Sequence, residues 1–66
     1  MKRIDTNREG HYYEIREWTM RGWEGWCTAY YTTPRGTREI GRFQSEKYAM
    51  QRIFDCAENA RLTLVF

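Results

Sequence analysis

The stretch Gly41-Arg42-Phe43-Gln44-Ser45-Glu46-Lys47-Tyr48-Ala49 is where this chain changes from strand pattern to helix pattern. Up to Gly41 polar and apolar residues alternate, and Phe43 is the last large apolar residue before the turn. Ser45 follows, and its hydroxyl can accept from one of the free N–H groups of a first helical turn. Downstream, Ala49, Ile53, Cys56, Ala57 and Ala60 recur at helical spacing, and Met50 and Phe54 widen the stripe. The pattern predicts one amphipathic helix over residues 45 to about 62, with alanines that let it lie close to a sheet. Leu62, Leu64 and Phe66 alternate at the end, which fits either a short C-terminal strand or an apolar strap across a sheet edge.

Upstream of the junction, residues 37–43 read as a third strand, and Pro34-Arg35-Gly36 as the turn that leads into it. Residues 26–33 are rich in β-branched and aromatic types and form the second strand. Its two sides are Trp26, Thr28, Tyr30 and Thr32 against Cys27, Ala29, Tyr31 and Thr33. Gly22 and Gly25 mark a loop, and Trp23 between them either folds back on the core edge or serves as a contact residue. Residues 11–20 are the first strand, with Tyr13 and Ile15 on one face and Tyr12, Glu14, Arg16 and Trp18 on the other. Residues 1–10 are polar without an apolar period and read as a flexible N-terminal arm that orders only near Ile4. The expected fold is therefore α+β: a three-stranded antiparallel sheet packed against one C-terminal helix (βββα), formed by residues 11–66 as a single domain.

Composition limits what such a domain can do. A chain of 66 residues builds only a small core, so aromatic side chains, a disulfide or self-association must help to stabilise it. The net charge is +2, and nine of the eleven bases are Arg, which favours planar, bidentate contacts over diffuse attraction. That balance permits nucleic acid without arguing for it. One histidine (His11) and two cysteines (Cys27, Cys56) cannot supply four zinc ligands, and read as small half-buried thiols the cysteines need no partner. His11 and Cys27 lack a third, orienting group for nucleophilic catalysis, and no phosphate-cradling glycine loop is present. No cofactor, metal or small-molecule substrate is expected, nor an enzyme. With no apolar run long enough to span a bilayer and no export signal in Met1-Lys2-Arg3-Ile4-Asp5, a cytoplasmic, non-membrane protein is the expectation.

The run Trp26-Cys27-Thr28-Ala29-Tyr30, the Pro-Gly turn, and then Glu39-Ile40-Gly41-Arg42-Phe43-Gln44-Ser45-Glu46-Lys47-Tyr48-Ala49 resemble the three-strand-plus-helix DNA-binding domains of the AP2 type and the arm-binding domains of tyrosine recombinases. Ile40, Gly41, Phe43 and Ala49 occupy the places of that pattern, over roughly residues 12–60. The resemblance implies a sheet that enters the major groove and reads it with outward Arg and Trp residues. It places Ile40, Thr28 and Tyr30 toward the helix and Arg16 and Trp18 outward. With them it turns Cys27, Ala29, Tyr31, Thr37 and Glu39 outward.

An outward face carrying Tyr12, Arg16, Trp18 and Tyr31 has the composition of a protein interface, which is enriched in Tyr, Trp and Arg. The first expectation is thus a small non-catalytic binding module, an adaptor or an inhibitor of the size common among phage and plasmid proteins. It binds a protein partner, or a second copy of itself, through Tyr12, Arg16, Trp18 and Tyr31. The alternative is DNA, with Arg16, Arg35, Arg38 and Arg42 on phosphates and Trp18 and Tyr31 stacking on bases.

Overall fold

The computed structural model describes residues 2–66. Its elements are β1 (Lys2–Thr6), β2 (Tyr12–Glu17), β3 (Cys27–Thr33), β4 (Gly36–Phe43), α1 (Glu46–Asn59) and β5 (Leu64–Val65). They form one five-stranded antiparallel sheet in the order β4-β3-β2-β1-β5, with α1 on one face. The sheet is therefore not three-stranded. One extra strand lies where an N-terminal arm was expected, and the C-terminal tail resolves as a strand rather than a strap.

Lys2–Thr6 becomes a strand although it holds a single buried apolar residue, Ile4. Ile4 stands opposite Tyr13 on β2 and joins the core, while the rest of β1 is held by the ladder and by its charges. β5 then pairs with the free edge of β1, matching Asp5 with Val65 and Thr6 with Leu64. A clamp supports this pairing: the Asn7 N–H donates to the Thr63 carbonyl at 2.9 Å, and the Thr63 N–H donates to Asn7 Oδ1 at 2.9 Å.

Cross-strand partners share a face, so the register sorts every side chain. Toward the helix lie the rows Ile4–Tyr13–Tyr31–Arg38, Lys2–Ile15–Ala29–Gly41 and Glu17–Cys27–Phe43. Away from it lie Asp5–Tyr12–Thr32–Thr37, Arg3–Glu14–Tyr30–Glu39 and Arg16–Thr28–Arg42. The phase of β3 is thus opposite to the expected one. Cys27 and Ala29 are buried under α1, and Thr28 and Tyr30 face away from it. Small residues on this side let the helix, itself docking through Ala49, Ile53 and Ala57, approach the sheet closely.

A bulge at Ile40, facing the Ala29/Tyr30 step of β3, resets the alternation of β4. Ile40 packs against the core, as expected, and the extra residue also carries Phe43 inward and Arg42 outward. Gly41 has a packing role here: a Cβ on it would stand 3.0 Å from the tip of the Phe43 ring, which lies over it.

The helix begins as expected. Ser45 is extended (φ −155°), and its Oγ accepts from the Tyr48 N–H at 3.4 Å. It ends at Asn59 rather than near 62, in a Schellman turn. The Leu62 N–H donates to the Ala57 carbonyl (2.8 Å) and the Arg61 N–H to that of Glu58 (3.1 Å), with Arg61 left-handed at φ 57°. The reversal drops Leu62 into the core. Phe54, expected in the apolar stripe, is 48% exposed and meets the Phe66 ring at 5.9 Å instead.

Candidate binding faces

The outer sheet face has no helix on it and is closed by its own side chains. The Arg3 guanidinium lies 3.8 Å from the centre of the Tyr12 ring, and that of Arg16 lies 4.6 Å from the centre of Tyr30. Each such contact contributes about 0.5–1 kcal/mol at an exposed site. Every arginine of this face also meets a carboxylate: Arg3 with Asp5 at 2.8 Å, Arg16 with Glu14 at 3.4 Å and Arg42 with Glu39 at 3.6 Å. Glu14 is only 8% exposed and sits between Arg3 and Tyr30 in the register, so its charge is compensated from within the face. The hydrogen bond to Asp5 strengthens the hold of Arg3 on its proton.

Past the end of β2 and β3 the face continues into an indole cluster. Trp18 stands 5.4 Å from Trp26 and 5.6 Å from Trp23, and Trp23 stands edge-on to Trp26 at 5.2 Å. Trp18 is fixed twice, by its backbone N–H to the Trp26 carbonyl (2.9 Å) and by Nε1 to Thr28 Oγ1 (2.8 Å). Trp23 therefore folds back from its loop onto other indoles, yet stays 43% exposed beside exposed Met20.

Of the residues expected to bind a partner, Tyr12, Arg16 and Trp18 share this face, and Tyr31 does not. Tyr31 belongs to the helix side, stacked on Tyr13 at 4.7 Å, with its hydroxyl 2.7 Å from His11 Nδ1. The aromatic that takes its place beside Arg16 is Tyr30. Of the phosphate-contact set, Arg42 stands with Arg16 and Trp18, whereas Arg38 lies on the helix side and Arg35 sits in the β3–β4 turn. The reading of the residues missed Arg3, because it lies in the stretch assigned to an arm, and Tyr30, because the phase of β3 was inverted. The signal for that phase was the small size of Cys27 and Ala29, which match the alanines of the helix.

Under the helix, burial first, and then Tyr31 and Cys56, push the Tyr13 phenol up to about 12. Burial, with Glu46 and Glu17, also raises the Cys27 thiol. Both cysteines are free, Cys27 buried and Cys56 half-buried. Among the described residues no group of three or more His, Cys, Asp or Glu is placed to hold a metal ion, and no helix is long and apolar enough to cross a membrane. Residues 12–60 form β2, β3, β4 and α1, and β1 and β5 extend the sheet beyond β2. No family model matches the chain, and searches of curated proteins and of solved structures return no match.

Proposed function

We propose that the chain is a non-catalytic binding module whose outer sheet face recognises a protein surface, as an adaptor, an inhibitor or one half of a self-associating pair. Tyr12, Arg16, Trp18 and Tyr30 are its contact residues, with Arg3 completing the patch. One observation carries the reading: the face is aromatic and arginine-rich yet internally neutral, with Arg3, Arg16 and Arg42 set against Asp5, Glu14 and Glu39. A phosphate backbone would have to displace those carboxylates and then sit beside them, which opposes binding. A protein surface meets pre-ordered rings and guanidinium groups whose side-chain freedom is already restricted, which lowers the entropic cost of association.

The test is the solution mass of the chain, alone and with mixed single- and double-stranded DNA, at low and moderate salt. Self-association that ignores both DNA and salt and is lost in Tyr30→Ala supports the reading. A monomer that shifts with DNA at low salt and releases it as salt rises overturns it in favour of nucleic acid, because neutralised phosphates release counterions.

A further inference from the structure

The helix side of the sheet has a charged end that the outer-face reading leaves unused. Beyond the C-terminus of α1, the β3–β4 hairpin carries Arg35 in its turn and Arg38 on its inner side. Neither has a carboxylate within 4 Å among the described residues, unlike Arg3, Arg16 and Arg42. Both line one open cavity of about 340 Å³ together with Tyr31, Thr33 and Thr37. Two further cavities adjoin it, sharing Tyr31 and Arg38 on one side and Thr33 and Arg35 on the other, where His11 enters. No acidic residue lines any of the three. At the opposite end of the molecule the comparable cavities contain Asp55, or Glu17 and Glu39.

The walls of this end are fixed before any ligand arrives. Tyr31 is stacked on Tyr13 and its hydroxyl is held by His11. The Arg35 N–H donates to Thr33 Oγ1 at 3.1 Å, which stiffens the turn. Gly10 presses against the same turn, so closely that a Cβ would come within 2.9 Å of Pro34 Cγ. At the nearby helix end the carbonyls of Cys56, Ala57 and Glu58 are taken by the Ala60, Leu62 and Arg61 N–H groups.

We propose that Arg35 and Arg38, with the Thr33 and Tyr31 hydroxyls, form a binding site for a phosphate monoester. Two guanidinium forks and two hydroxyls around one open cavity suit a tetrahedral dianion with three acceptor oxygens, whereas one fork already satisfies a planar carboxylate. The site lies on the opposite side of the sheet from Arg16 and Tyr12, and it stands or falls independently of the outer face.

The test is an amide NMR titration of the full chain with inorganic phosphate, a nucleoside 5′-monophosphate and acetate, at constant ionic strength. Saturable shifts confined to His11, Tyr31, Thr33, Arg35 and Arg38 are expected for the phosphates, with a Kd of roughly millimolar order. Arg35→Gln and Arg38→Gln should each weaken binding roughly tenfold, while Arg21→Gln in the distant β2–β3 loop leaves it unchanged. Tighter binding of the nucleotide makes the organic group part of the ligand, and equal binding assigns the site to the free ion. Acetate binding as tightly as phosphate, shifts spread over all arginines, or unchanged affinity in both Gln variants would overturn the proposal. Arg35 is an exposed turn residue, so its variant tests the site without endangering the fold.

Discussion

On the helix side of the sheet Tyr13 lies against Tyr31 under α1 and is 1% exposed; on the outer side Tyr12 and Tyr30 lie against the guanidinium groups of Arg3 and Arg16 and keep part of their surface in water. The same three strands, β1 to β3, thus cover tyrosines in two ways. One is burial by a second layer, which adds apolar area removed from water at about 25 cal/mol per Å². The other is cover by long polar side chains from neighbouring strands, which shields the rings and keeps the charged ends solvated. The first way gives stability and a closed surface. The second gives little stability and leaves a surface that another molecule can displace water from.

The largest effect that can break this comparison is on folding. Ile53 is fully buried between α1 and the sheet, so Ile53→Ala should cost about 3 kcal/mol. In a domain of this size that lowers the melting temperature by roughly 12–24 °C. Tyr12→Ala on the outer face should cost less than about 1 kcal/mol, since it removes one exposed cation–π contact and partial burial. Urea or thermal unfolding of the two variants decides the matter. Equal losses would mean that the outer face is a second core rather than a recognition surface.

A smaller effect sharpens the same contrast through pH. Tyr13 keeps its proton in the folded chain up to about 12, against an ordinary 10 in the unfolded chain. Its contribution is fully present below pH 10 and is lost as pH rises from 10 through 12, because only the unfolded state has then released the proton. Urea midpoints measured from pH 8 to 12 should fall across that window. Tyr13→Phe should flatten the fall above pH 10. The raised Cys27 thiol adds a separate loss that begins near its ordinary value of 9. If the fall above pH 10 persists unchanged in Tyr13→Phe, the Tyr13 phenol is not buried as described.

How much of this was legible in the chain depends on whether a residue's local type agrees with its tertiary place. Ser45, the turn at Pro34-Arg35 and the Ala49, Ile53, Ala57 stripe read correctly, because capping chemistry, fixed φ and helical period are local properties. β1 was not legible, since Ile4 is its sole buried residue and the strand exists by pairing with β2 and β5. The phase of β3 came from the resemblance, which turns Cys27, Ala29 and Tyr31 outward, and the register shows the opposite. Only the closeness of α1 makes small residues the buried ones. The bulge at Ile40 has no local signature beyond Gly41 beside it. Of the candidate contact residues, Tyr12, Arg16 and Trp18 followed from β2 alternation alone. Tyr31 required the phase of β3, and so it was placed on the wrong side.

The end of the helix offers the smallest and most specific test, because it fixes where the inner layer stops and β5 begins. Arg61 occupies the left-handed position of the Schellman turn, where glycine is the ordinary residue. A non-glycine residue there costs about 1–2 kcal/mol of backbone strain. Glycine at the same site loses more freedom on folding, by about 0.5–1 kcal/mol. The relief exceeds the loss, so Arg61→Gly should stabilise the domain by about 0.5–1 kcal/mol, read as a rise of a few degrees in melting temperature. The exposed Arg61 side chain makes no ion pair among the described residues that the change would sacrifice. Because the turn delivers Leu62 to the core and Leu64 to the edge of β1, the gain should belong to the covered face and leave outer-face association unaltered. A loss of stability in Arg61→Gly would show that unfolded-chain entropy outweighs strain there. A change in association would show that the two faces are coupled through β5.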